Sequence, residues 1–291
     1  MDSEIGSMLQ NNTWTLADLP PDCKAVTCKW LLREKYNPDG TVARFKSRLV
    51  ACRFFQTPGL DYFETFSPIL RMESLRKLLA LAVHYNFHEH EMDVKTIFLN
   101  GKLSEETYMK QPPYYESREY PTKVCKLNKS NYDLKQSSRQ WYQKFNQFMI
   151  SHGFSRFNFD DNMYLRIGKC YLLLVSIYVD EIILVSGLMD AILAPKTEFS
   201  KAFFMIDMGE LKYILKIEIQ HDGENNILRL NQRPSAKLLL KRFHMESSRG
   251  IETPLPVINC IFALNGHESL SEQQIISEIP YSNAIEEFAT L

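Results

Sequence analysis

Two adjacent carboxylates, Asp180 and Glu181, sit between the apolar runs 171–177 and 182–185, and few folds accommodate that arrangement. Short apolar runs rich in Leu, Val and Ile read as buried strands. Burying a bare carboxylate between them costs several kcal/mol, on the order of the penalty for any unpaired buried charge. The acids are therefore expected at the exposed tip of a hairpin formed by Tyr178-Val179-Asp180-Glu181, with a greasy strand on either side.

The rest of the chain supplies the elements around that hairpin. Segments 25–35 and 41–54 alternate β-branched, aromatic and basic residues and flank Asn37-Pro38-Asp39-Gly40, which is strong turn chemistry. A β-hairpin with basic side chains on one face is expected there. After Ser67-Pro68, Met72, Leu75, Leu78, Leu79 and Ala82 recur at helical spacing up to about Tyr85. His84, His88 and His90 follow without an HExxH pattern and read as surface histidines. Segment 91–99 reads as a strand ending at Asn100-Gly101, and 138–152 as a second amphipathic helix closed by Gly153. Segments 213–220 and 227–230 flank a turn at His221-Asp222-Gly223-Glu224, and Arg233-Pro234 opens a third helix. Residues 1–20 read as a loop or extended segment, and 259–291 give no confident element.

With 291 residues, the chain can bury a sizeable core. A net charge of −1 hides local contrast, since 24–53 holds eight basic residues against Glu34 and Asp39, and 123–144 holds six against Asp133. Such patches suit phosphates, although a solvated surface face has the same look. Six cysteines without CxxC spacing read as free thiols of a reducing compartment. Asp180 and Glu181 interrupt the longest apolar run, which excludes a membrane span there.

Asp93 at a strand end and Asp180-Glu181 at a hairpin tip form a set of hard oxygen donors of the kind that holds Mg²⁺ for phosphoryl chemistry. That geometry alone is shared by many proteins. An ordered set of local words narrows it: Asn12-Thr13-Trp14, Cys28-Lys29-Trp30, Arg44-Phe45-Lys46-Ser47-Arg48, Gly59-Leu60-Asp61-Tyr62, Met92-Asp93-Val94-Lys95, Leu134-Lys135-Gln136, Tyr178-Val179-Asp180-Glu181 and Thr253-Pro254-Leu255. In order and spacing this set resembles the reverse transcriptase domain of copia-type LTR retrotransposons over 12–255.

The resemblance implies an α+β right-hand polymerase fold with an antiparallel palm sheet, fingers and a partial thumb. It divides the chain into an N-terminal extension (1–24), the reverse transcriptase fingers, palm and partial thumb (25–255) and a degenerate C-terminal tail (256–291). It makes Asp93, Asp180 and Glu181 the catalytic and metal-binding set for Mg²⁺, with Mn²⁺ as the alternative. It gives nucleotide contacts to Lys46 and Arg48 on the triphosphate, to Phe98 as a sugar gate and to Gln136. The implied partners are an RNA or DNA template with primer, deoxynucleoside triphosphates and the remainder of a Pol polyprotein, with no membrane. Cytoplasmic virus-like particles are the implied location.

Several residues depart from the family's pattern. Glu181 stands in place of a second aspartate, and its extra methylene moves the carboxylate by about 1 Å, a displacement that can cost about a hundredfold in rate. Ile97 is expected to crowd the nucleotide beside Phe98. Asn131 and Asp133 replace an apolar residue and a glycine, Cys52-Arg53 a basic-glycine pair, and Lys216 a glycine. Pro195 falls inside an expected helix, at a cost of about 3 kcal/mol. Three functions stay open on the sequence: an RNA-directed DNA polymerase, an inactive transposon remnant, or a domesticated nucleic-acid-binding module. Primer extension separates the first from the others.

Overall fold

The computed structural model describes residues 1–36, 42–215, 217–249 and 285, without the side chains of 35, 36 and 43. The expected turn at Asn37-Pro38-Asp39-Gly40, Lys216, Thr253-Pro254-Leu255 and the tail from 256 onward (Ile285 apart) lie outside the described residues. In chain order the elements are α1 (Asp2–Gln10), β1 (Trp14–Ala17), β2 (Cys28–Tyr36), β3 (Val42–Ala51), α2 (Met72–His84), β4 (His88–Val94), β5 (Tyr108–Met109) and β6 (Val124–Leu127). They continue with α3 (Ser137–Ser151), β7 (Ser155–Arg156), β8 (Met163–Ile167), β9 (Leu172–Tyr178), β10 (Glu181–Ser186), α4 (Met189–Ala202) and β11 (Met205–Glu210). β12 (Tyr213–Ile214), β13 (Ile217–Asp222), β14 (Ile227–Asn231) and α5 (Arg233–Arg242) complete the series. Helices and antiparallel sheets are thus mixed in an α+β chain.

Contacts divide the molecule into two units, Met1–Glu210 and Leu211–Leu291. The first is organised by a six-stranded sheet in the order β11-β4-β10-β9-β8-β7, with every neighbouring pair antiparallel. Side chains alternate between the two faces of a strand. Met92 and Val94 of β4, Leu173, Val175 and Ile177 of β9, and Ile182 and Leu184 of β10 therefore share one face. That face is buried against Trp141, Phe145 and Met149 of α3 and Ile192 and Phe199 of α4. Phe145 lies at its centre, edge-on to Tyr164 at 5.8 Å and to Phe199 at 6.2 Å between centroids. On the other face α2 contacts β10, and Leu75, Leu78, Leu79 and Ala82 of that helix are buried, as their spacing requires.

A second core lies around Leu49, Ala51, Leu99, Met109, Cys125 and Leu134, and it includes Met8. Residues 2–10 are therefore a helix, and Trp14–Ala17 is a strand paired with β6, where the sequence suggested loop. No side chain caps the N-terminus of α1, and at its C-terminus the Asn11 amide donates to the Ser7 carbonyl at 2.8 Å. A nine-residue helix is marginal alone, and seating Met8 in that core adds to its order. The second unit holds an antiparallel sheet, β12-β13-β14, with α5 against β13. The sequence joined Tyr213 and Gln220 into one strand; Leu215 instead has φ 50 and divides them into two. Among the described residues no helix is long and apolar enough to cross a membrane. Their cysteines are free thiols, and burial pushes those of Cys28 and Cys125 up to about 12.

Pro195 does lie inside α4, buried, and the helix runs on to Ala202. Without an N–H it leaves the Ala191 carbonyl without its usual intrahelical donor. The same helix carries Lys196, buried to 5% exposure, whose ammonium donates to His90 Nδ1 at 2.7 Å on β4 and to Asp207 Oδ1 at 2.5 Å on β11. His90 is thus half-buried and engaged, contrary to its reading as a surface histidine, whereas His84 and His88 are exposed. A charged Lys196 requires an acceptor at Nδ1, which puts the ring proton on Nε2.

Burial, followed by the Lys196 charge, holds the His90 pKa below its usual value of 6.5. The folded state therefore prefers the neutral ring. A pKa depressed on folding contributes stability that is present above the unfolded value and lost as pH falls through the folded one. Thermal unfolding between about pH 7.5 and about pH 5 is expected to show a falling midpoint. His90→Asn, which keeps an acceptor and does not titrate, should flatten that fall; an unchanged slope would trace the acid sensitivity to another group.

Candidate active site

The β9–β10 hairpin turns through two residues, Val179 and Asp180. Val179 has φ 56, a region that a β-branched residue adopts only under strain, so the tip is held by its surroundings. Two contacts do this. The Trp141 indole N–H of α3 donates to the Val179 carbonyl at 2.8 Å, and the Val94 N–H of β4 donates to the Asp180 carbonyl at 2.8 Å. Val179 is the exposed residue of the tip, while Asp180 and Glu181 are half-buried, where the sequence suggested exposure.

Register fixes the third carboxylate. Glu181 lies opposite Asp93 across the β10–β4 pair, and Ile182 lies opposite Met92. Because Met92 and Ile182 enter the core, Asp93 and Glu181 project together on the other face of the sheet. Burial raises the Asp180 pKa, the Asp93 charge adds to the rise, and a backbone hydrogen bond, Arg48 and Lys46 oppose it. Glu91, two residues before Asp93 on the same face, is also raised, by burial and then by Asp93. The Lys95 ammonium pairs with Asp93 Oδ2. Among the described residues no three His, Cys, Asp or Glu side chains stand close enough together to hold a metal ion.

Positive charge reaches this end of the sheet from the β2–β3 hairpin. Arg33 pairs with Lys46 and Leu31 with Arg48 across its register, so these four residues share one face. The expected basic hairpin face is therefore present. Lys46 and Arg48 are half-buried, and both act on Asp180. Glu4 of α1 faces the same pair. Its pKa is raised by burial, while its hydrogen bond from the Leu49 backbone and the charges of Arg48 and Lys46 pull the other way. No spacing in the sequence signalled Glu4, because its approach depends on where α1 docks.

Phe98 belongs to a 3-10 turn, Ile97–Asn100, entered through Thr96 at φ 51. Successive residues of such a turn point about 120° apart. Ile97 accordingly enters the main core at 5% exposure, while Phe98 stays half-exposed. Ile97 thus fills core space, which corrects the expectation that it crowds a nucleotide. Ser130 Oγ donates to the Phe98 carbonyl. Gly101 closes the turn where any Cβ would lie 2.7 Å from Ser130 Oγ and 2.8 Å from Gln140 Cβ, so this approach admits only glycine. The Phe98 ring meets Tyr132 edge-on at 5.4 Å, and the Arg48 guanidinium lies 5.0 Å over the Tyr132 ring. Tyr132 lies just before Leu134-Lys135-Gln136, and nothing in the sequence marked it as a contact of both.

A half-buried carboxylate pair, a cationic hairpin and an aromatic turn therefore converge at one end of one sheet. The profile of the family described as reverse transcriptase (RNA-dependent DNA polymerase) matches residues 11–257. The chain belongs to the reverse transcriptase family. It is similar to the retrovirus-related Pol polyprotein from transposon TNT 1-94 of Nicotiana tabacum, 35% identical over 98% of this chain and 22% of that protein. The Pol polyproteins from transposons RE1 and RE2 of Arabidopsis thaliana are 37% and 34% identical, each over 88% of this chain and 17% of theirs. The chain thus spans about a fifth of the length of these relatives.

Two further positions of this reverse transcriptase chain take on definite structural roles. Asp133 has φ 68, the conformation that a glycine adopts freely, and its carboxylate lies 3.5 Å from Arg53 Nε. The two departures at 53 and 133 thus meet as an ion pair on the surface. Gln136 is fully enclosed: its Oε1 accepts from Gln56 Nε2 at 2.9 Å and its Nε2 donates to the Asp61 carbonyl at 2.9 Å. In this arrangement the amide braces the 56–61 loop.

Proposed function

We propose that the chain is an RNA-directed DNA polymerase domain that extends a primer 3′-hydroxyl with deoxynucleoside triphosphates on a template strand. The observation that carries this reading is the convergence of Asp93 and Asp180 with the cations Lys46 and Arg48. In this reading the six-stranded sheet is the palm and the β2–β3 hairpin belongs to the fingers. The unit beginning at Leu211 opens the thumb. A place within a longer Pol polyprotein agrees with the length of the relatives.

Hard carboxylate oxygens under mutual repulsion are suited to Mg²⁺ or Mn²⁺, and Asp93 and Asp180 would hold the ion, with Glu181 beside them. Bound there, divalent ions supply activation of the primer hydroxyl and stabilisation of the leaving pyrophosphate. Lys46 and Arg48 carry the charge to bind the triphosphate. Phe98 offers a flat apolar ring against the sugar, suited to excluding a 2′-hydroxyl. Lys95 holds Asp93 in the form described and must yield that oxygen to a cation.

One observation favours a second reading, a nucleic-acid-binding module without chemistry: no three-ligand cluster exists among the described residues. Extension of a DNA primer on an RNA template, with Mg²⁺ or Mn²⁺, decides between the two. Incorporation of deoxynucleotides supports the polymerase. Tight template–primer binding with no incorporation under either ion would replace it with the module.

A further inference from the structure

We infer that Tyr132 is a positioning residue of the nucleotide pocket, whose ring couples the triphosphate cation Arg48 to the sugar-facing ring of Phe98. The inference rests on the polymerase reading for the roles of those two partners; the coupling itself comes from the geometry. Arg48 stands on a strand of the basic hairpin and Phe98 on a turn after the carboxylate strand, 50 residues apart in sequence. Tyr132 touches both, one through the face of its ring and one at an edge-to-face angle of 85°.

Its backbone explains why the ring is so well placed. The Ala51 N–H of β3 donates to the Tyr132 carbonyl at 2.9 Å, and Val50 and Tyr132 form a parallel bridge. The Tyr132 N–H is taken by Asn131 Oδ1 at 2.8 Å, and Ser137 Oγ closes on the Asn131 carbonyl at 2.5 Å. Ser130, two residues earlier, holds the Phe98 carbonyl. One short segment, 130–132, is thus tied to the end of the basic hairpin and to the Phe98 turn.

The ring is packed against the second core on one side. Burial pushes the phenol up to about 12, with the Glu4 charge and, more weakly, those of Asp180 and Asp93 in the same direction. It stays a neutral phenol at physiological pH. A ring whose face holds a guanidinium and which meets a second ring edge-on limits the rotamers of both. Arg48 and Phe98 are then preset together before any nucleotide arrives, and preset groups lose less entropy on binding.

The test compares Tyr132→Phe, which keeps the ring, with Tyr132→Met, which keeps an apolar side chain and removes the ring. The full chain is used with a template–primer, dATP affinity is read by calorimetric titration, and kcat, KM and the preference for dATP over ATP are read by extension. Tyr132→Met is expected to raise the dATP Kd and KM by about tenfold, the order expected for losing a desolvated cation–π contact and a ring pair. It should leave kcat within about twofold and reduce the preference against ATP, and Tyr132→Phe should restore all three.

Unchanged Kd and unchanged sugar preference in Tyr132→Met would overturn the inference, as would a fall in kcat alone. If Tyr132→Met does not fold, Arg48→Gln gives the same test from the other side. Sugar preference must fall when Arg48 is lost if Tyr132 couples the two, and must persist if it does not. A chain that binds dATP and never extends a primer sinks the polymerase chemistry, yet leaves the Kd comparison to decide on Tyr132. A chain that does not bind dATP overturns both.

Discussion

Asp180→Asn is expected to lower primer extension by about a thousandfold or more while leaving template–primer affinity nearly unchanged, because it removes charge at the reacting centre and little volume. Asp180 stands at a tip whose backbone is fixed from both sides, so the amide will occupy the same place. The same change should raise thermal stability at neutral pH. The Asp180 pKa is raised, by burial first and then by Asp93. A carboxylate raised on folding is stabilising only in its protonated form, and that contribution is lost as pH rises through the folded pKa. At neutral pH the ionised group therefore strains the fold, and a neutral amide relieves it. Lost extension with an increased unfolding midpoint is the expected pair of results. Full extension by Asp180→Asn would remove the carboxylate end of the sheet as the reacting centre.

The second large effect runs the other way. Glu181→Asp is expected to raise kcat for extension by about a hundredfold, since a shift of about 1 Å at a reacting centre costs about that much. Glu181 lies in register opposite Asp93 and on the same face, so its carboxylate overshoots a position that an aspartate at the same Cα would fill. The backbone is a regular strand with no register shift at this pair, so the main chain adds no displacement to that of the methylene. The gain should appear in kcat with KM for the nucleotide little changed, because Lys46 and Arg48 are untouched. Single-turnover extension by the two forms under Mg²⁺ measures it. Equal rates would show that Glu181 does not limit the chemistry.

Parts of this architecture were legible in the sequence because local pattern and tertiary role agreed. The strands around Asp180, the helices from Met72 and Ser137, and the basic hairpin face each follow from a single periodicity. At Asp133 the departure from glycine was visible in the sequence, and the structure supplies its backbone meaning, a φ of 68. What stayed hidden depended on contacts from afar. The start of β4 reads His-Glu-His-Glu, with no apolar alternation, because Glu89 and Glu91 are buried on one side while Lys196 reaches His90 on the other. Helix α1 takes its order from distant contacts, Met8 in the second core, Glu4 on the Leu49 backbone and Asp2 with the Tyr115 hydroxyl. Gln136 sits in a motif that marks it as important without saying what it touches, and its amide faces inward to a loop 75 residues earlier. Ile97 and Phe98 are adjacent, and only the 3-10 turn decides which of them enters the core.

The bond from Trp141 to the Val179 carbonyl gives the molecule an optical handle on its own tip. The chain has three tryptophans, and the other two, Trp14 and Trp30, belong to the second core. Exchanging those two for phenylalanine leaves one indole, buried at 3% exposure and joined to the strained turn that carries Asp180. Its emission then becomes a spectroscopic gauge of that turn, with no dye attached and no substituent placed near the carboxylates.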